Sequence, residues 1–266
     1  MNAKIYWFSG TGNSLAVAKT LAEKLPDAEL IPIAEAVNNP PEAADVIGIV
    51  CPVYAWGPPA LVARFIRKMK ASPDSYIFTV MTFAGSQGGA PLLIRGMLQD
   101  RGLDLHAAWG VKMPENFPPL GSAPAPEKQV EINGEADEKI VEIAAELQSF
   151  PRGHYEVAGG IWKLFSKIMY PGFRFFLRHR ADRFFRADNN CNGCGLCAEV
   201  CPVGDIEMID GKPEWKGRCE QCYACFHWCP KNAVQYGRSA RVRRYHHPAA
   251  SLEEFRPEAS GRLQNL

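Results

Sequence analysis

Eight of the nine cysteines stand in two runs of one spacing, Cys191-x2-Cys194-x2-Cys197-x3-Cys201-Pro202 and Cys219-x2-Cys222-x2-Cys225-x3-Cys229-Pro230. Each cysteine of the first run has its counterpart 28 residues on: 191 to 219, 194 to 222, 197 to 225 and 201 to 229. Thiolates are soft ligands. Three of them at i, i+3 and i+6, followed by a fourth and a proline, make the spacing that wraps a 4Fe–4S cluster. Where two such runs share a chain, the fourth cysteine of each ligates the other cluster. The expected ligand sets are therefore Cys191, Cys194, Cys197 and Cys229 for one cluster, and Cys219, Cys222, Cys225 and Cys201 for the second. The chemistry this predicts is one-electron transfer.

Zinc and disulfides are the competing uses of so many cysteines. A structural zinc site pairs two CxxC-type elements across a longer loop, which is not the pattern here. Disulfides belong to secreted chains. The opening Met-Asn-Ala-Lys-Ile-Tyr lacks the basic segment, apolar run and small-residue cleavage site of a signal peptide. Reduced thiols and cluster assembly point to the cytoplasm. The ninth cysteine, Cys51, closes an apolar run and is expected to be a buried packing residue.

The paired runs occupy only about residues 187–237, and 266 residues with 47% hydrophobic content leave room for a larger domain upstream. A net charge of +1 hides segregation. Residues 1–150 carry 12 Lys/Arg against 17 Asp/Glu, and 151–186 carry 8 against 2. The 187–237 segment carries 4 against 7, and the tail 238–266 carries 6 against 3. Two acidic lobes joined by a basic connector lack the broad basic face of a nucleic-acid binder. The expected division is a domain over 1–150, a connector over 151–186, the cluster domain over 187–237 and a tail over 238–266.

Residues 1–150 alternate strand-like and helix-like stretches, the signature of a parallel sheet covered by helices. Ala3–Phe8, Glu29–Ile33, Val46–Cys51, Tyr76–Phe83 and Leu105–Lys112 read as strands, the middle ones nearly unbroken in apolar residues and so buried on both faces. Leu15, Ala18, Leu21, Ala22 and Leu25 mark a first helix by their spacing, and Pro58–Lys70, Pro91–Arg101 and Glu135–Phe150 read as others. Five strands with helices between them predict an α/β flavodoxin-like doubly wound sheet, with a small α+β cluster domain after it.

Ligands of such sheets bind at the carboxyl ends of the strands, and three loops there have unusual chemistry. Ser9-Gly10-Thr11-Gly12-Asn13-Ser14 offers backbone N–H groups, three hydroxyls and a helix N-terminus to a phosphate. It has neither the lysine of a nucleoside-triphosphate loop nor the G-x-G-x-x-G of dinucleotide folds, which suits a phosphate monoester. Pro52-Val53-Tyr54-Ala55-Trp56-Gly57 sets two aromatics beside a glycine, suited to stacking on a planar ring. Thr82-Phe83-Ala84-Gly85-Ser86-Gln87-Gly88-Gly89 offers backbone to that ring's polar edge. The combination predicts FMN. Alternatively, the first loop is only a capped helix start and Tyr54 and Trp56 are surface aromatics.

These loops and the two cysteine runs together resemble the fusion proteins that join a flavodoxin-like domain to a two-cluster ferredoxin. Met113-Pro114-Glu115-Asn116-Phe117 and Arg244-Tyr245-His246-His247-Pro248 are further similar pieces, so the resemblance extends over nearly the whole chain. It implies FMN in the first domain and two 4Fe–4S clusters in the second. The third loop departs from the pattern, having no second stacking aromatic at its tip.

The remaining segments are connective. Pro114–Pro126, with five prolines, is an extended loop placed either to bring Asn116 or Phe117 to the flavin or to serve as a purely structural surface loop. From Ile161 to Phe185 an apolar stripe of Ile161, Leu164, Phe165, Ile168 and Met169 stops at Pro171-Gly172 and resumes with Phe173, Phe176, Leu177 and Phe184. Its basic content argues against a membrane span. The reading is an amphipathic helix pair packed across the acidic domains, with contact to a membrane surface as the alternative. Ile206–Ile209 and Lys212–Trp215 flank Asp210-Gly211 as a hairpin. Ile206 and Val234, 28 apart, are expected to shield the clusters. Arg238, Arg241, Arg243 and Arg244 either clasp the domain or meet an acidic partner.

The function these readings predict is electron transfer between FMN and the clusters, to or from redox partner proteins. A flavin exchanging one or two electrons is thereby paired with one-electron clusters. The alternatives are an FMN-dependent reductase of a small molecule fed by the clusters, and a redox or oxygen sensor.

Overall fold

The apolar segments of the first half are each long enough for one strand. In the computed structural model they form a parallel sheet; residues 2–238 and 242–256 are described, apart from the side chains of 161–163, 165 and 177–180. Strands β1 (Ala3–Trp7), β2 (Ala28–Pro32), β3 (Val46–Pro52), β4 (Tyr76–Phe83), β5 (Ala107–Lys112) and β6 (His154–Tyr155) lie in the order β2-β1-β3-β4-β5-β6, every neighbour parallel. The order 2-1-3-4-5 is the flavodoxin-like one. Helices α1 (Asn13–Lys24), α2 (Ile33–Ala36), α3 (Ala60–Lys68), α4 (Ala90–Gln99) and α5 (Pro126–Leu147) accompany the strands. Every residue of β3 but Pro52 and every residue of β4 but Phe83 is buried, which explains their unbroken apolar sequences. Cys51 is fully buried in β3, and burial pushes its thiol far above the ordinary range.

Two features of the sheet and its last covering helix differ from the sequence reading. The sheet has a sixth strand, the two-residue β6, added at its edge beside β5. Glu156 fixes it there: its carboxylate accepts from the Gly110 N–H at 2.9 Å and from Lys139 at 3.0 Å, and its carbonyl accepts from Gln87 Nε2 at 2.7 Å. Helix α5 begins at Pro126 rather than Glu135, because its first turns are solvent-facing, with Val130 74% exposed, and leave no apolar period to read.

The chain divides into two compact units that are not contiguous in sequence. One comprises Met1–Ser9, Asn13–Pro114 and Pro126–Gly172, and the other Gly10–Gly12, Glu115–Ala125 and Phe173–Leu266. Ile161–Arg180 forms one helix, α6, and not a pair. Proline keeps a helical φ, so Pro171 removes a hydrogen bond without ending the helix. The apolar stripe is also not the buried side. Leu164 and Ile168 are 57% and 63% exposed, while Ser166 and Tyr170 are buried. Those two, four residues apart, own the inward side: Ser166 Oγ accepts from the Gly89 N–H at 2.7 Å, and the Tyr170 ring packs against Gly57. The side chains of Ile161, Phe165 and Leu177 lie outside the described residues. Among the described residues no helix is long and apolar enough to cross a membrane.

The second unit contains β7 (Phe185–Ala187), α7 (Leu196–Glu199), β8 (Ile206–Ile209), β9 (Lys212–Trp215), α8 (Ala224–His227) and β10 (Val234–Tyr236). Strands β8 and β9 make the expected antiparallel hairpin, with Asp210 and Gly211 at φ 48° and 73° as a two-residue turn requires. Strand β10 pairs with β7. Phe117 meets the Tyr223 ring edge-on at 5.4 Å and packs against this unit's apolar core, which fits the structural reading of its loop.

His106 gives a test of the first unit. Its Nδ1 accepts the Ile77 N–H at 3.0 Å, so the neutral imidazole is the form that fits. Burial, then Arg152, holds its pKa below the ordinary histidine value. Below pH about 6.5 the unfolded chain takes up a proton that the folded chain refuses, so stability falls as pH drops through this window and is constant above it. Hydrogen exchange at the Ile77 amide is expected to speed up between pH 7 and 5 beyond the intrinsic pH effect. An equal loss of protection in His106→Asn would disprove the cause.

Candidate functional site

The cysteine runs fold as two copies of one backbone. Helices α7 and α8 are 28 residues apart, each preceded by a left-handed residue, Gly195 at φ 78° and Tyr223 at φ 57°. Gly193 and Gln221 are a second such pair at 74° and 57°, and Gly204 and Asn232 a third at 58° and 50°. A side chain in this conformation costs about 1–2 kcal/mol. The second copy offsets that cost by packing: Tyr223 lies among Phe117, Phe185 and Tyr236, and Gln221 Nε2 donates to the Ala181 carbonyl at 2.6 Å.

The copies exchange their fourth cysteines. Cys191, Cys194, Cys197 and Cys229 line one cavity together with Leu196, Met208 and Val234. Burial pushes the Cys197 thiol up to about 12, with Cys229, Cys191 and Cys194 adding to the effect. Burial likewise raises Cys219, Cys222 and Cys225, each with Cys201 among its neighbours. Each fourth sulfur accepts a backbone hydrogen bond at the same place in the repeat, from Asp205 N to Cys201 Sγ and from Ala233 N to Cys229 Sγ, both 3.2 Å. The Gln221 N–H reaches Cys219 Sγ at 3.3 Å. Burial disfavours the charged thiolate form at these positions. A bound soft metal would supply the compensating charge, and the amides would then stabilise the thiolates. Among the described residues no three His, Cys, Asp or Glu side chains converge tightly enough for a single metal ion. Ile206 and Val234 are both buried beside these cysteines, in the same apolar core.

The three strand-end loops have definite partners. In the first unit, Ser14 Oγ and Thr82 Oγ1 share a hydrogen bond of 2.7 Å, joining the first loop to the third. Asn13 Nδ2 donates to the Pro114 carbonyl at 3.2 Å. Val53 N donates to the Thr82 carbonyl at 2.8 Å, tying in the second loop. Tyr54 and Gly57 close a tight turn through reciprocal hydrogen bonds, with Ala55 at φ 47° and Trp56 at φ 59°. Such turns normally use Asn or Gly, and paired non-glycine residues there store strain of the kind found at ligand clamps. Trp56 packs on Gly88, whose φ of 56° and lack of a side chain permit the approach. Pro52, Phe83 and Ala84 are half-buried, and Gly85 is exposed. Ser166 and Tyr170, which contact Gly88, Gly89 and Gly57, gave no signal in sequence beyond being polar positions in an apolar, basic helix.

The tip of the first loop belongs to the second unit. The Gly10 carbonyl accepts from Trp228 Nε1 at 3.0 Å, and the Thr11 carbonyl from the His247 N–H at 2.7 Å. Asn116 Nδ2 donates to Thr11 Oγ1, and His227 Nε2 donates to the Asn116 carbonyl at 2.9 Å, its Nδ1 being taken by the Tyr245 N–H. Asn116 thus holds the tip of the first loop through Thr11. The tail arginines clasp their own unit: Arg243 donates to the Ala123 carbonyl at 2.7 Å, and Arg244 to those of Phe226, Asn232 and Val234. Arg241 lies outside the described residues.

Comparison with known proteins adds the following. Residues 188–207, holding the first cysteine run, match the family described as 4Fe-4S binding domain. No curated protein matches the chain. Among solved structures, a flavoprotein in complex with FMN from Lactobacillus acidophilus NCFM is 15% identical, covering 41% of this chain and 92% of its own, at a TM-score of 0.32. A Streptococcus pneumonia TIGR4 flavodoxin is 14% identical over 56% of this chain and 99% of its own, at 0.36. An azoreductase from Bacillus anthracis str. Sterne is 12% identical over 55% and 100%, at 0.37. The class of fold rests on the strand order and register above, and the iron–sulfur character of the second unit on the 188–207 match with its 28-residue copy.

One contact is open to direct test. A side chain at Gly10 would place its Cβ 2.0 Å from the Cys222 carbonyl oxygen, a backbone atom with little freedom to move. Gly10→Ala is expected to lower iron content per chain, whereas Gly85→Ala, with open space around it, leaves iron unchanged. Full iron in Gly10→Ala would show that the loop tip does not constrain the cysteine segment.

Proposed function

We propose that this chain is an electron-transfer protein that holds FMN in its flavodoxin-like sheet and two 4Fe–4S clusters in its second unit. On this reading the cofactors exchange electrons within one chain and with redox partner proteins. The observation that carries the reading is the exchange of fourth cysteines, with Cys229 set among Cys191, Cys194 and Cys197, since only a crossed pair of clusters requires it. One cluster then takes those four thiolates, and the second takes Cys219, Cys222, Cys225 and Cys201. When bound, the clusters supply one-electron steps and the flavin one- or two-electron steps. The protein positions them, excludes water through Ile206, Val234 and Phe226, and donates amide hydrogen bonds to sulfur.

FMN is supported by three loops at consecutive carboxyl ends of the sheet, where ligands of this fold bind. The loop Ser9–Ser14 would take the phosphate, with Thr11 as the hydroxyl donor. Thr11 Oγ1 accepts from Asn116, which leaves its proton to give, while Ser14 is committed to Thr82. Tyr54, Trp56 and the backbone of Thr82–Gly89 would hold the ring. Ser166 and Tyr170 against the second and third loops favour a carrier over a reductase open to a small-molecule substrate.

Anaerobically prepared protein is expected to contain about eight irons per chain. Cys229→Ser is expected to perturb the cluster of Cys191, Cys194 and Cys197 and leave the signal of the other intact. An effect confined to the cluster of its own run would overturn the crossed assignment. Thr11→Ala is expected to weaken FMN by on the order of 1 kcal/mol, about fivefold, with little effect on riboflavin, which has no phosphate. Equal losses for the two flavins would move the phosphate site elsewhere.

A further inference from the structure

Two arginines unrelated by the repeat grip the two halves of it at the same point. Arg244 Nη2, from the C-terminal segment, donates to the Asn232 carbonyl at 2.9 Å. The N–H of the same peptide group, on Ala233, donates to Cys229 Sγ at 3.2 Å. In the other copy Arg218 Nη2 donates to the Gly204 carbonyl at 2.5 Å, and the N–H of that peptide, on Asp205, donates to Cys201 Sγ at 3.2 Å. Gly204 and Asn232 are 28 residues apart, as are Cys201 and Cys229, but Arg218 and Arg244 are not. The sequence copies the peptide and the cysteine; the guanidinium reaches each from a different place.

A cation on a carbonyl polarises its peptide and makes the N–H a stronger donor, because hydrogen bonds in series reinforce one another. An N–H donated to a cluster sulfur stabilises negative charge there, and each cluster gains one negative charge on reduction. We propose that Arg218 and Arg244 are positioning residues that act through these two peptide groups to raise the reduction potentials of the two clusters, one arginine per cluster. This deepens the two-cluster reading and rests on it.

The two relays are unequal by construction. Arg244 is half-buried, stacks on the Phe226 ring at 3.2 Å, and also donates to the Phe226 and Val234 carbonyls. Of the thiols around it, Cys229 acts on it more strongly than Cys225, which belongs to the other ligand set. Arg218 is exposed, so solvent screens it, and the buried Asp205 carboxylate beside Cys201 opposes it. The Arg244 relay therefore raises the potential of its cluster by more than the Arg218 relay raises the other.

The test is a redox titration of anaerobic holoprotein followed by electron paramagnetic resonance, with iron counted first. Arg244→Gln is expected to shift one midpoint to lower potential at unchanged iron, and Arg218→Gln to shift the other by less. Arg244→Lys, which keeps the charge but lacks the planar fork that spans the three carbonyls, should fall between wild type and Arg244→Gln. If Arg244→Gln loses its clusters, the lysine variant and Arg218→Gln decide. Unchanged midpoints in both at full iron would overturn the proposal, as would a shift of the same midpoint by both arginines. Fewer than about eight irons in the wild type would overturn the two-cluster reading as well, and the iron count separates that failure from a failure of the relays alone.

Discussion

One placement organises the second unit: the fourth cysteine of each run lies with the first three of the other copy. Cys229 lies with Cys191, Cys194 and Cys197, and Cys201 is near Cys219, Cys222 and Cys225. The left-handed residues before α7 and α8, the amide on each fourth sulfur and the buried Ile206 and Val234 all recur at the 28-residue step because the same exchange is made twice. The short strands, β8–β9 and β7–β10, bring the chain back to make it possible.

The first unit is governed by a different economy. Its central strands are buried on both faces, so polar chemistry is pushed to the strand ends, where loops are free to carry it. The loops are not loose. Ser14 with Thr82, Val53 with Thr82, Trp56 with Gly88, and Ser166 with Gly89 tie the three together. The strained Ala55-Trp56 turn persists only because these contacts over-determine it.

Some of this was plain in the sequence and some was not, for physical reasons. Cysteine spacing is dictated by the ligand, so it reads directly. Unbroken apolar runs give β3 and β4, and Asp210-Gly211 gives its hairpin, because burial and positive φ restrict residue choice. The second copy hides its left-handed positions, since Gln221, Tyr223 and Asn232 stand where the first copy has glycine, and only tertiary packing makes that tolerable. The apolar stripe of α6 misled: exposed Leu164 and Ile168 look like a buried face, whereas the working contacts are made by Ser166 and Tyr170. Strand β6 is too short to have a period, and a tail arginine clasping Asn232 leaves no trace in local sequence.

The central claim is that flavin and clusters form one electron-transfer path in a single chain. Flash reduction of FMN in the reconstituted holoprotein, followed by bleaching of the cluster absorbance, tests it most directly. A transfer rate independent of protein concentration is the predicted result. A rate that rises in proportion to concentration would contradict it, since the electron would then pass between molecules.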